Sequence, residues 1–193
     1  MTRLLLIRHG ATAGNMQRRY IGSTDEPLCE MGMKQAQSLR EKNLNINRLF
    51  VSPMKRTKQT AQILFPQMEY TVVQDFREMN FGVFEGKSAH ELADHPDYQA
   101  WVDAFCKGKI PGGESAADFK TRCCSAFRDI MTTADDDDSV ALIVHGGVIM
   151  TILEAFAHPH RDFYHYHINN GECVRCEYQA DVITVSIPAQ TYE

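Results

Sequence analysis

Two histidines stand at matching places in the chain. His9 follows the apolar run 4–7 and Arg8 and precedes Gly10, while His145 follows the apolar run 140–144 and precedes Gly146-Gly147. A short apolar run bounded by glycine reads as a buried strand, and the carboxyl ends of strands in α/β sheets are where ligands are met. If the two strands run parallel, both histidines lie on one sheet edge, where helices begin. The N–H groups and positive dipole end of a helix start favour an anion there. Arg8 brings a guanidinium to that edge, and Arg56, in the first turn of a following helix, reaches the same place. Two arginine forks, two histidines and helix starts make a pocket for a phosphoryl group, whose oxygens accept paired N–H donors from arginine.

The elements that must position these groups follow from periodicity. Strands are expected over 4–7, 48–51, 70–73 and 140–144, and helices over 32–42, 52–64, 114–131 and 148–156. In the first helix Met33, Ala36 and Leu39 form the apolar face; in the third, Ala116, Phe119, Cys123, Phe127, Ile130 and Met131 do so. Ser52-Pro53 reads as a helix start, with Ser52 as N-cap and Pro53 at the first helical position. The acidic run 135–138 reads as a solvated loop, and 173–178 with 182–187 as a hairpin around Gln179-Ala180-Asp181. Strands alternating with helices predict an α/β fold, a mostly parallel central sheet with helices on both faces and an antiparallel element late in the chain.

At 193 residues, with 44% hydrophobic and 23% charged residues, the chain has the composition of one soluble globular domain. A net charge of -5 argues against nucleic acid or an anionic membrane as a partner, so any anion must be held by a local cluster. The N-terminal apolar run is too short for a signal peptide and no stretch suits a bilayer span, so a cytoplasmic protein is expected. Six cysteines in a chain of this length read as reduced thiols.

The segment Arg8-His9-Gly10-Ala11-Thr12-Ala13-Gly14-Asn15 resembles the RHG-x-x-x-x-N signature of the histidine phosphatase superfamily, the phosphoglycerate mutase-like proteins. Further stretches agree in order and spacing: Gly22-Ser23-Thr24-Asp25-Glu26-Pro27-Leu28 with Gly32 and Gln35-Ala36, Ser52-Pro53-Met54-Lys55-Arg56, Glu78 through Gly86, Pro111-Gly112-Gly113-Glu114-Ser115, and Val144-His145-Gly146. Ala11 departs from the family, which commonly has Glu there. The resemblance implies a phosphoglycerate mutase-like three-layer sandwich over residues 1–193, with a small cap inserted around 79–113. It implies that His9 attacks phosphorus and becomes a phosphohistidine, with its other ring nitrogen donating to a carbonyl. Arg8, Arg56 and a cationic His145 would hold the non-bridging oxygens, and Glu78 would give a proton to the leaving alkoxide and later take one from water. Asn15 resembles a further phosphate ligand, and Thr12, Ile21, Gly22 and Gly146 substrate-binding positions. No metal or cofactor is implied. The expected partner is a small phosphate ester, with neither nucleic acid nor membrane, and the chain acting as monomer or homodimer.

The ester itself is left open. Between Met79 and Pro111 the only lysines are Lys87, Lys107 and Lys109, with no arginine, whereas Phe81, Phe84, Trp101 and Phe105 offer aromatic surface suited to a ring-bearing leaving group. Together with the segment 17–28, this looks most like the α-ribazole phosphatases of cobalamin biosynthesis. A broad phosphatase of sugar or nucleotide phosphates, a phosphoglycerate mutase and a silent phosphate-binding scaffold are the alternatives. Trp101 and Phe105 suit either core or lid. Cys173 and Cys176 would face opposite sides of a strand, against a metal or redox site. His158/His160 and His165/His167 have spacing that could serve a metal, but no metal site is expected there, and 163–166 reads as packing at the pocket rim.

Overall fold

In the computed structural model, which describes residues 1–186, strand β1 (Thr2–Arg8) sends Leu4 and Leu6 to one face of the sheet and Leu5 and Ile7 to the other. Burial on both faces is why this run is continuously apolar rather than alternating. The chain continues through the single turn α1 (Ala13–Met16), α2 (Glu30–Arg40), β2 (Arg48–Val51), α3 (Lys55–Leu64) and the short β3 (Thr71–Val72). Then come α4 (Pro96–Asp103), α5 (Ala116–Met131), β4 (Ser139–Val144), α6 (Gly146–Phe156), and the hairpin of β5 (Cys173–Gln179) and β6 (Val182–Val185).

The six strands are ordered β3-β2-β4-β1-β5-β6; the first four are mutually parallel, and β5 and β6 are antiparallel. The register of β1 against β4 sets Arg8 opposite Val144, so both chains leave the sheet together. Leu39 of α2 and Ala61 and Leu64 of α3 cover one face, against Leu5, Ile7, Leu49, Val51, Ala141 and Ile143. Phe127 of α5 and Ile149 and Ile152 of α6 cover the other, against Leu4, Leu6, Phe50 and Leu142. Phe84, Leu92, Tyr98, Trp101 and Ile110 of the 79–113 segment join that second cluster. No helix among the described residues is long and apolar enough to cross a membrane.

Several expectations change in detail. Helix α3 starts at Lys55 with Met54 at its N-cap position, because the Ser52 N–H extends the ladder by donating to Ile143 O (3.1 Å). In α2 the buried stripe is Gly32, Ala36 and Leu39, and Met33 is exposed. Ala116 at the start of α5 is only half-buried. The acidic loop is not all solvated: Asp138 is half-buried and accepts from Asn47 Nδ2 (2.8 Å) and Arg48 (3.2 Å). Trp101 and Phe105 divide, the first 8% exposed in the core and the second 83% exposed at a positive φ of 54°. Cys173 and Cys176 do pack on opposite sheet faces, and burial raises the Cys176 thiol to about 12. All six cysteines are free. The hairpin's outer strand is observed to Val185, and Ile187, its expected last residue, lies outside the described residues.

Candidate active site

Strand β1 delivers Arg8 and His9 to the sheet edge, and β4 delivers His145, so the two imidazoles meet edge to face with centroids 5.1 Å apart. His9 Nδ1 lies 2.7 Å from Gly10 O. A carbonyl only accepts, so Nδ1 carries the hydrogen and Nε2 keeps its lone pair. Burial, followed by the charges of Arg56 and Arg8, pushes the His9 pKa well below the ordinary 6.5, and the ring is neutral at pH 7. Its backbone is held as firmly: the His9 carbonyl accepts from Asn170 Nδ2 (3.1 Å) and from the Gly171 N–H (3.0 Å). Arg8 donates through one terminal nitrogen to Ile168 O (2.7 Å), while its buried Nε has no acceptor among the described residues.

Arg56 is fully buried and its guanidinium reaches three ways. Nε donates to His145 Nδ1 (3.3 Å), and the two terminal nitrogens to Thr24 O (2.8 Å) and Gly22 O (2.9 Å). Since arginine cannot accept, His145 Nδ1 is the acceptor, and Nε2 donates to Ser52 Oγ at 2.7 Å. Burial, then Arg56, His9 and Arg8, depress the His145 pKa well below 6.5. Out of water and beside the Arg56 guanidinium, the His145 ring is held neutral, in contrast to the cation expected from the sequence. Ser52, expected as a helix cap, is its hydrogen-bond partner.

The Gly22–Thr24 loop that receives Arg56 is itself held by Glu85, whose carboxylate accepts from the N–H groups of Gly22 (3.1 Å) and Ser23 (2.8 Å) and from Thr24 Oγ1 (2.8 Å). Burial pushes the Glu85 carboxyl up, but the donors Ser23, Phe81, Thr24 and Gly22 outweigh it and hold the pKa below the usual carboxylate value. Glu78 accepts from its neighbour Met79 N–H (2.9 Å) and from Gly147 N–H (3.0 Å) at the start of α6. The Gly-Gly pair after His145 allows this approach. A Cβ on Gly147 would stand 2.4 Å from Glu78 Oε1, and one on Gly146 would stand 3.2 Å from the Arg8 guanidinium carbon.

Arg8, His9, Arg56, His145 and Gly146 thus converge, and Glu78 is tied to them through Gly147. Thr12 and Asn15 form a reciprocal cap at α1, with Asn15 N–H donating to Thr12 Oγ1 (3.3 Å) and Thr12 N–H to Asn15 Oδ1 (3.1 Å). Asn170 also donates to that Oδ1 (3.3 Å), so the Asn15 amide nitrogen is the end left to meet a ligand. Thr12 and Ile21 are buried. Of the four aromatic residues expected to offer surface, two are in the core instead. Phe84 and Trp101 are buried, packing their rings with Tyr98 and Tyr20, and Tyr20 and Tyr98 share a 2.9 Å hydroxyl contact. Those rings need the core more than a ligand does.

Two residues of this constellation, Glu85 and Asn170, had no role assigned from the sequence, and Ser52 had only that of a helix cap. Asn170-Gly171 before a strand is a turn signal, which could have flagged the position but not its neighbour. Among the described residues no group of three His, Cys, Asp or Glu side chains is placed to hold a metal ion.

Residues 4–189 match the model of the histidine phosphatase superfamily (branch 1). A probable phosphoglycerate mutase GpmB from Proteus mirabilis is 30% identical over 190 residues, covering 93% of this chain and 86% of that protein. Among solved structures, a putative alpha-ribazole-5'-P phosphatase from Escherichia coli K-12 superposes with a TM-score of 0.87 at 22% identity, covering 98% of this chain and 96% of the other. A phosphoglycerate mutase from Thermus thermophilus does so with a TM-score of 0.75 at 28% identity, covering 98% and 99%.

Proposed function

This chain belongs to the histidine phosphatase superfamily, and from that premise we propose that it is a phosphomonoester hydrolase working through a phosphohistidine on His9 without a metal. One observation carries the reading: the His9 ring, neutral and fixed by its Nδ1 bond to Gly10 O, keeps its Nε2 lone pair free within the field of the Arg56 and Arg8 charges. In the first step the Nε2 lone pair forms the N–P bond, the ester P–O bond breaks, and Glu78 gives its proton to the departing oxygen. In the second, water attacks phosphorus, Glu78 takes the water's proton, and the N–P bond breaks to release phosphate. Arg8 and Arg56 hold the non-bridging oxygens; Arg8 Nε, buried without an acceptor, suits one of them. Asn15 adds a donor through its amide nitrogen, and the neutral His145 orients the Arg56 guanidinium through its Nδ1. Gly22 and Gly146 bring backbone close to the group, and Thr12 and Ile21 are buried.

The segment 79–113 is read as the cap. Its three lysines, Lys87, Lys107 and Lys109, are exposed, and the segment has no arginine. The ester put first is α-ribazole 5′-phosphate, on that shortage of cations and on the 17–28 segment. The second reading is a phosphoglycerate mutase, favoured by the 30% identity to a protein described as one. The deciding experiment compares α-ribazole 5′-phosphate, 3-phosphoglycerate with and without its bisphosphate primer, sugar phosphates and nucleotides, in excess chelator. Hydrolysis accompanied by an acid-labile, alkali-stable phosphoprotein supports the hydrolase. A mutase rate above hydrolysis rejects it, and a flat profile removes only the ribazole assignment.

A further inference from the structure

Glu78 sits on a stretch with no regular secondary structure, between a 3-10 turn at Gln74–Phe76 and another at Gly82–Phe84. Among the described residues its carboxylate bonds only to N–H groups, one of them its own neighbour's, so its aim depends on where the backbone of 77–79 lies. That backbone is gripped from α5. Arg122 donates to the carbonyls of Asp75, Arg77 (2.8 Å) and Glu78 (3.2 Å), and grips both carboxylate oxygens of Glu114 through Nε (2.7 Å) and a terminal nitrogen (2.9 Å). Glu114 in turn pairs its backbone N–H with Asn80 O (3.0 Å), on the other side of Glu78. The Arg122 side chain is 15% exposed and lies over the Phe119 ring, its carbon 4.8 Å from the centroid. A planar fork, unlike an ammonium, can serve all these acceptors at once.

We propose that Arg122, held by Glu114, is a positioning residue that fixes the Glu78 loop for proton transfer to the leaving group. The proposal rests on Glu78 being the general acid. An ordinary ion pair would support the fold alone, and its loss would slow every ester alike. A displaced acid slows only esters whose leaving group needs the proton, and a misplacement of about 1 Å costs on the order of 10²-fold.

The test measures kcat/KM, which reports steps through phosphorylation, for glycerol 2-phosphate and p-nitrophenyl phosphate, with inorganic phosphate inhibition alongside. Arg122→Lys should lose at least about 30-fold on glycerol 2-phosphate and no more than about 3-fold on p-nitrophenyl phosphate, with the phosphate inhibition constant little changed. In a Glu78→Gln background the same substitution should add less than about 3-fold on either ester. Equal loss on both esters, or a selective loss that persists on Glu78→Gln, overturns the proposal. Glu78→Gln by itself showing no selectivity between the esters rejects Glu78 as the acid, and Arg122's role with it. Should Arg122→Lys fail to give a cooperative melt, Glu114→Gln, which keeps shape and removes the charged acceptor, takes its place with the same expected outcomes.

Discussion

At the sheet edge the buried side chains include Arg56 (0% exposed), His145 (0%) and His9 (3%), whereas the buried side chains of the 79–113 segment are Met79, Phe84, Leu92, Tyr98, Trp101 and Ile110. The first set is costly to bury and is held by directional bonds to carbonyls and side chains from distant parts of the chain. The second set gains by burial itself and is held by packing. The edge therefore sacrifices stability to place polar groups, and the 79–113 segment commits Phe84, Tyr98 and Trp101 to staying folded. Substitutions at the edge should remove turnover with little loss of fold, and substitutions in the 79–113 segment should do the reverse.

The strongest test of that contrast is His9→Ala. Turnover and phosphoprotein labelling should fall by at least about 10⁴-fold, or about 5.4 kcal/mol, while the melting temperature holds or rises, because a desolvated imidazole beside two cations is removed. Labelling that survives would move the nucleophile elsewhere. Next in size is Trp101→Ala, expected to cost about 3–5 kcal/mol in denaturant unfolding, with kcat/KM for p-nitrophenyl phosphate nearly intact in the folded protein. An unchanged unfolding midpoint together with poorer turnover of ring-bearing esters would put Trp101 in the pocket after all.

Gly147→Ala tests the join between the regions. The added Cβ would lie 2.4 Å from Glu78 Oε1, so Glu78 must move. Turnover of alkyl esters should drop about 10²-fold, or about 2.7 kcal/mol, with a smaller loss for p-nitrophenyl phosphate. A smaller effect comes from pH. The folded pKa values of His9 and His145 are both depressed below 6.5, so the unfolded chain binds more protons below that pH. Stability is full above pH 6.5 and is lost as the pH falls, at up to about 1.4 kcal/mol per unit for each ring. Melting in ligand-free buffer from pH 7.5 to 5.5 checks the sign, and a rise on acidification would place a charge on one of the rings. Phe105→Ser closes the series: 83% exposed, it should change stability by less than about 0.5 kcal/mol.

Much of the edge is legible in the residues alone. Two apolar runs ending in His-Gly announce strands that stop together, and parallel alternation places both histidines on one edge. The role of Ser52 is hidden because Ser-Pro before a helical run has the grammar of an N-cap, and the competing use of its hydroxyl comes from His145, 93 residues away. Trp101 and Phe105 share a helical spacing, yet a left-handed φ of 54° at Phe105 turns one outward while the other packs inward. The charge state of His145 is hidden for a related reason: composition near a residue in sequence says little about the guanidinium that packs against it in space.

Residue types and local order determined that this chain has an α/β sheet with two histidines at strand ends, because apolar periodicity and glycine punctuation act over a few residues. Which side chains complete the site was decided only by the tertiary structure. Asn170 reaches His9 O across 161 residues, Glu85 reaches Ser23 across 62, and Arg122 reaches Glu78 O across 44. Polar partners of buried groups are set by strand order and helix placement, and these emerge only when the whole core packs, since each buried donor or acceptor must then be satisfied by whatever segment the fold brings beside it.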